Sequence, residues 1–303
     1  MRNSFADTFF ELGQQDPRLC IVVADISPAG SIAKFREHFP DRFVNTGVAE
    51  QIMIGMTAGM AMRGLRPFAY TIATFALYRP FEMIRDDLAY QELPVTVVGI
   101  GGGLAYSTLG GTHHAQEDVA VALSIPGLSL ISPCDPRETA EATRHCATQN
   151  RGPIYLRLGK AGEPDLTRNA LDPFVFGKLR RLREGRDVCI LAHGSIMKTA
   201  MDVADGISAR GKSVAVCSVH TLKPLDRAGL AEVVKRFPQV IVIEETSPQN
   251  GLGPMVKQIC WETKAQCRLD TFSIQDKFIH VYGSHADILK AHGLSADRIL
   301  AAV

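Results

Sequence analysis

The sequence predicts an α/β protein of two domains, each a mostly parallel sheet flanked by helices. Three observations carry that prediction. Short β-branched runs alternate with helix-length segments along the chain. The strand candidates are near-continuous apolar runs, as expected of strands covered on both faces. The rhythm breaks once, over 159–187, where Pro164, Pro173 and several charges leave no strong period.

Taken in order, the first domain covers residues 1–162. Its strands are expected at 20–26, 42–46, 66–73, 95–99, 128–132 and 154–158, with helices at 31–38, 50–63, 75–91, 116–124 and 136–149. Residues 163–185 read as the linker. The second domain, 186–303, repeats the alternation, with strands at 187–192, 214–219, 240–244 and 268–274. Helices are expected there at 196–209, 228–237, 253–263 and 284–291. The helix after Glu50 carries almost no charge, so it is expected to be buried, in a core or at a subunit interface. Gly55 and Gly59 lie four apart on it. Each costs about 1 kcal/mol against alanine, and close approach of another element would offset that cost.

Composition narrows the function. Of 303 residues 46% are hydrophobic and 21% charged, as in ordinary globular chains. A formal net charge of +1 gives no reason to expect a nucleic-acid or acidic-membrane surface. The N-terminus lacks a signal-peptide pattern, and no apolar run reaches the ~18 residues of a spanning helix. Cys20, Cys134, Cys146, Cys189, Cys217, Cys260 and Cys267 are scattered, without a C-x-x-C pair. Reduced thiols in a cytoplasmic protein are expected.

Four stretches carry candidate chemistry. Glu50 stands in the first turn of the apolar helix, where a carboxylate is costly to bury without a partner, so it is a candidate acid/base group. Thr74-Phe75-Ala76-Leu77-Tyr78-Arg79-Pro80-Phe81 follows a strand and opens a helix, at the sheet edge where ligands bind in open α/β folds. Phe75, Tyr78 and Phe81 recur every third residue and form either core or a clamp for a flat heterocycle. The glycine-rich loop from Gly101 to His114 lies at the same edge; its spacing is neither a dinucleotide fingerprint nor a Walker loop. His113 reads there as a polar or acid/base group, beside His114, and no metal site is expected. Arg157 and Lys160, at the end of strand 154–158, point to an anionic substrate.

These residues together resemble the transketolase family. FPDRFVNTGVAEQ resembles the segment bearing the family's cofactor-activating glutamate, and TF-x-x-Y-x-x-F its aromatic pocket for the aminopyrimidine ring. GGTHH and GPIYLRLGK resemble later parts of the pyrimidine-binding domain; VHTLKPLD and EETSPQNGLG resemble the C-terminal domain. The resemblance implies thiamine diphosphate as cofactor, with Glu50 sharing a proton with the ring and Phe75, Tyr78 and Phe81 walling it. It implies that His113 steadies reacting hydroxyls, with His114 beside it. Lys160 falls at a phosphate-binding position, with Arg2, Ser27 and Ser31 as further phosphate candidates.

The family has three domains, and the likeness covers the last two. The remaining domain holds the diphosphate through Mg2+ (or Ca2+) with a G-D-G and a later Asn, and no GDG occurs here. The resemblance therefore implies the C-terminal subunit of a split transketolase. It would act with an N-terminal partner, in an α2β2 assembly with self-association, on a sugar or sugar phosphate. The family commonly has His where this chain has Gly101, and Asp where it has Leu109. The alternatives are a decarboxylating subunit acting on a 2-oxo acid, similar to a dehydrogenase β subunit or deoxyxylulose-phosphate synthase, and a noncatalytic partner subunit.

Overall fold

The computed structural model describes residues 1–26 and 31–303, and of Ser31 the backbone alone. The first domain contributes β1 (Leu19–Val23), β2 (Phe43–Asn45), β3 (Arg66–Ile72), β4 (Thr96–Ile100), β5 (Ser129–Ile131) and β6 (Ile154–Leu158). Around them lie α1 (Arg2–Gln15), α2 (Ser31–His38), α3 (Glu50–Met62), α4 (Ala73–Leu77), α5 (Phe81–Met83), α6 (Asp118–Ser124) and α7 (Pro136–Thr148). The second domain holds β7 (Arg180–Arg183), β8 (Val188–Ala192), β9 (Val214–Ser218), β10 (Thr221–Lys223), β11 (Gln239–Ile243) and β12 (Arg268–Phe272). Its helices are α8 (Met197–Ala209), α9 (Arg227–Arg236), α10 (Leu252–Thr263), α11 (His285–Ala291) and α12 (Ala296–Ala302).

The strands form two sheets, ordered β10-β5-β6-β4-β3-β1-β2 and β12-β11-β8-β9-β7. All neighbours are parallel except β10 on β5 and β7 on β9. Central strands such as Leu-Cys-Ile-Val-Val of β1 and Thr-Val-Val-Gly-Ile of β4 are buried throughout, as continuous β-branched runs require. Parallel pairing has one consequence for function. The strands β2, β3, β4 and β6 all end at the same edge, so the segments after them meet there.

The two domains share a core. One apolar cluster runs from Met53 and Val119 through Leu222 to Leu191 and Val242. The crossing strand β10 ties them further, because it belongs to the second half of the chain but pairs with β5 of the first sheet.

Four differences from the sequence expectation have physical causes. Residues 75–91 do not form one helix. Pro80 has no N–H to donate, and the chain turns after α4, starts again as α5 and continues as a π-helical turn, Ile84–Ala89. The end of the 163–185 segment is not linker in form: β7 lies in it and borders the second sheet. Helix α1 was not anticipated; Phe5 and Phe9 sit one turn apart and pack on Phe35, Phe68 and Tyr70. The fourth difference concerns α3. Met53, Ile54, Thr57, Ala58 and Ala61 are buried as expected, but Ile52 is 59% exposed, and Val48, Met56 and Met62 are exposed beside it. A Cβ added at Gly55 or Gly59 would meet nothing within 4 Å. The helix is apolar all round because one face enters the core and the other is left open.

Candidate active site

Helix α3 begins a few residues beyond β2, and Glu50 is its first residue, where the helix dipole favours a carboxylate. Glu50 is 2% exposed. Its Oε1 accepts a hydrogen bond of 2.9 Å from Nη1 of Arg79, whose own side chain is 44% exposed. The Arg79 guanidinium lies 4.3 Å over the ring of Phe75. Arginine, carboxylate and aromatic face thus form one stacked unit at the sheet edge.

Phe75 and Arg79 border an open cavity of about 580 Å³, together with Tyr78, His114, Glu117 and Phe278. The Tyr78 hydroxyl donates to Glu117 Oε2 at 3.0 Å and accepts from the Glu117 N–H at 3.3 Å. Burial, then the charges of Asp118 and Glu117, hold its phenol well above the usual range, so it remains an uncharged wall. Phe81 does not border this cavity. It lies beyond the turn at Pro80, opening α5, and is partly exposed there.

The glycine-rich loop brings His113 to the same place. Its ring packs edge-on against Phe75, centroids 5.1 Å apart, and lies 6.1 Å from Tyr106. Its Nδ1 pairs with Thr112 Oγ1 at 2.9 Å. Burial, followed by the charges of His114 and Arg79, holds His113 below the usual imidazole range, so it is neutral at neutral pH. His114 is buried; its Nε2 meets the Ser107 carbonyl at 3.2 Å, and its Nδ1 has no partner.

Arg157 takes a different place from the one expected. It is buried, with Nε on Asp118 Oδ2 at 2.7 Å and Nη2 on the Glu245 carbonyl at 3.0 Å. Tyr155 donates to the same Asp118 oxygen at 2.9 Å. These partners turn the guanidinium inward as a tie between domains, away from a ligand at the sheet edge. Lys160 is exposed, and its ammonium lies 5.1 Å from the Tyr106 centroid. Arg2 reaches the same tyrosine: burial raises the Tyr106 phenol, and the Arg2 charge and hydrogen bond pull it back. The Arg2 Nε is buried without a partner. Ser27 lies outside the described residues, and so does the Ser31 side chain.

Sequence reasoning missed Arg79, Tyr106, Glu117 and Phe278 as site residues. Tyr106 also explains Gly101, whose φ is +74°; a side chain there would collide with the Tyr106 ring. Among the described residues no group of three or more His, Cys, Asp or Glu is placed to hold a metal ion.

Fold and candidate site together place an α/β protein's clustered Glu50, Phe75, Arg79 and His113 at the carboxyl edge of its first sheet. Comparison with known proteins is specific. Residues 1–162 match the transketolase pyrimidine-binding domain and residues 177–299 the transketolase C-terminal domain. The chain belongs to the transketolase family, whose members depend on thiamine diphosphate. It is 32% identical over 298 residues to one of the subunits of the apulose-4-phosphate transketolase of Phocaeicola vulgatus, covering 98% of this chain and 94% of the relative. It is also 32% identical over 301 residues to 1-deoxy-D-xylulose-5-phosphate synthase of Syntrophotalea carbinolica, covering 99% of this chain but 47% of that one. A solved structure described as a split gene transketolase, inactive beta4 tetramer, superposes with a TM-score of 0.89 at 32% identity. That match covers 99% of this chain and 96% of the solved one.

Proposed function

We propose that this chain is the C-terminal subunit of a two-chain, thiamine-diphosphate-dependent transketolase, moving a two-carbon ketol unit from a ketose to an aldehyde acceptor. One observation carries the reading. The Arg79 guanidinium, a flat group bearing N–H donors, lies on Phe75 and donates to the buried Glu50. A seat that takes one planar nitrogen-bearing group suits another, and the cofactor's aminopyrimidine ring is such a group. The names of the relatives support the same reading.

Bound there, thiamine diphosphate supplies a carbon nucleophile for attack on a ketose carbonyl. This chain's residues do the rest of the work on its side. Glu50 holds a proton against a ring nitrogen in a place shielded from water. Phe75 and Tyr78 wall the ring, and Tyr78 stays uncharged. Neutral His113 exchanges protons with the hydroxyls next to the bond that breaks. Arg2 and Lys160, converging on Tyr106, receive an anionic end of the sugar. The ketose loses its first two carbons and leaves as an aldose; the acceptor gains them.

The diphosphate and its Mg2+ or Ca2+ belong, in this reading, to an N-terminal transketolase subunit carrying the GDG and Asn motif. The open apolar face of α3 supports self-association within an α2β2 assembly. No helix among the described residues is long and apolar enough to cross a membrane, and the seven cysteines are free, which suits a reducing cytoplasm.

The test is reconstitution. The chain is mixed with such a subunit, thiamine diphosphate and Mg2+, then given a ketose and an aldehyde. Mass spectrometry is expected to show an aldose shortened by two carbons and an acceptor lengthened by two. The similarity to 1-deoxy-D-xylulose-5-phosphate synthase favours a second reading, a 2-oxo acid donor. Carbon dioxide release from pyruvate without ketose turnover would establish that one instead.

A further inference from the structure

A second buried carboxylate lies outside the machinery described so far. Glu245 follows β11 in the C-terminal domain and is 1% exposed. Its Oε1 accepts from the Leu104 N–H at 2.6 Å and meets His285 Nε2 at 2.6 Å. Its Oε2 accepts from Ser195 Oγ at 3.3 Å, and its backbone carbonyl accepts from Arg157. Leu104 belongs to the glycine-rich loop that ends in His113 and His114. The loop backbone sits so close that a Cβ at Gly103 would lie 2.6 Å from Glu245 Oε1. Ala115, just past the histidines, bonds back to the Gly103 carbonyl at 2.8 Å. Both ends of the loop are therefore fixed near one carboxylate of the other domain.

His285 is partly open to water, its side chain being 35% exposed, and so is Ser195. It opens α11, directly after the segment that carries Phe278 to the cavity. We infer that Glu245 and His285 form an interdomain clamp, acting as positioning residues that set the glycine-rich loop, and through it His113, for ketol transfer. The inference rests on the proposed reading for its last step, but the clamp itself is a property of this chain alone.

Charge supports the geometry. The Glu245 carboxylate raises the pKa of His285 against the opposing effect of burial, and Glu163 adds to the rise. Burial pushes Glu245 up, but His285, the Leu104 N–H and Arg157 outweigh it and hold the carboxyl below its usual range. His292 also feels Glu245, and His114 faces His292. The sign follows: His285 is raised in the folded chain, so its contribution is complete below the unfolded pKa and is lost as pH rises through the folded one.

Hydrogen–deuterium exchange on the purified chain, corrected for intrinsic rates, tests this directly. His285→Ala is expected to speed exchange in the 101–115 segment about tenfold. Wild-type protection should fall as pH rises through the raised His285 pKa. His285→Gln, which keeps a donor but cannot titrate, should restore protection and flatten the pH profile. In the reconstituted pair, kcat should fall about tenfold or more in His285→Ala and recover in His285→Gln. Unchanged loop exchange in His285→Ala overturns the clamp. So does a loss spread evenly over β8 and β9, which marks general loosening. If the loop loosens but no ketol transfer is found with any variant or the wild type, the functional reading fails and the clamp stands.

Discussion

Glu50 and Glu245 are equally hidden from water, yet their surroundings are opposite. Three donors surround the Glu245 carboxylate, from Leu104, Ser195 and His285. Glu50 has, among the described residues, one hydrogen bond, from an arginine that is itself half in solvent. A buried acid with all its oxygens engaged is part of the framework. A buried acid with one removable partner is held in readiness for something else. Burial alone therefore does not separate the two acids; the number of hydrogen bonds left unsatisfied does.

The comparison can be broken in several ways. The largest effect is expected from Glu50→Gln, which should lower turnover of the reconstituted pair by at least ~100-fold while leaving the melting temperature nearly unchanged. Full turnover in that variant would place Glu50 with the framework acids. Next comes the framework itself. Asp118→Asn removes the charge that Arg157 faces at 2.7 Å in a fully buried pair, and should cost about 3–5 kcal/mol in denaturant unfolding. A loss below ~1 kcal/mol would show the seam to be looser than its distances indicate. A third, smaller effect concerns α3. Ile52→Lys should leave the stability of the single chain within ~0.5 kcal/mol, because the residue is exposed. It should shift the assembly toward smaller species in sedimentation; an unchanged distribution would remove α3 from the interface. The smallest effect is expected at Lys160→Ala, which should raise KM for an anionic donor several-fold with little change in kcat. An equal fall in kcat would mean that Lys160 acts in the transition state.

The sheets were legible in the sequence because parallel strands covered on both faces leave uninterrupted β-branched runs. Glu50 was legible for a related reason: its environment is local, a charge at the mouth of a helix without other charge in its first turns. Its partner was not. Arg79 lies 29 residues away, and the turn at Pro80 helps decide where it points. The same turn ends the helical register that would have kept Phe81 near one face with Phe75 and Tyr78, and Phe81 does not line the cavity. Arg157 sits at a strand end, where a ligand-facing cation and an inward tie look identical until Asp118 is placed. Glu245 stood inside the EETSPQNGLG stretch, but its role there was not legible, since its donors come from three segments between 40 and 141 residues distant. Periodicity records which face of an element is apolar, and α3 shows what it leaves out: whether the cover comes from the same chain.

That open strip, from Val48 just before α3 through Ile52 and Met56 to Met62 on it, has a bearing on how the protein must be made. If α3 is the proposed interface, a newly synthesised copy is adhesive until another polypeptide caps it, and grease does not choose its mate. Gene dosage then matters as much as sequence. Overproduced singly, the chain is expected to settle into dead-end clumps or pairs of its own kind; synthesised in step with its counterpart, it meets the right surface first.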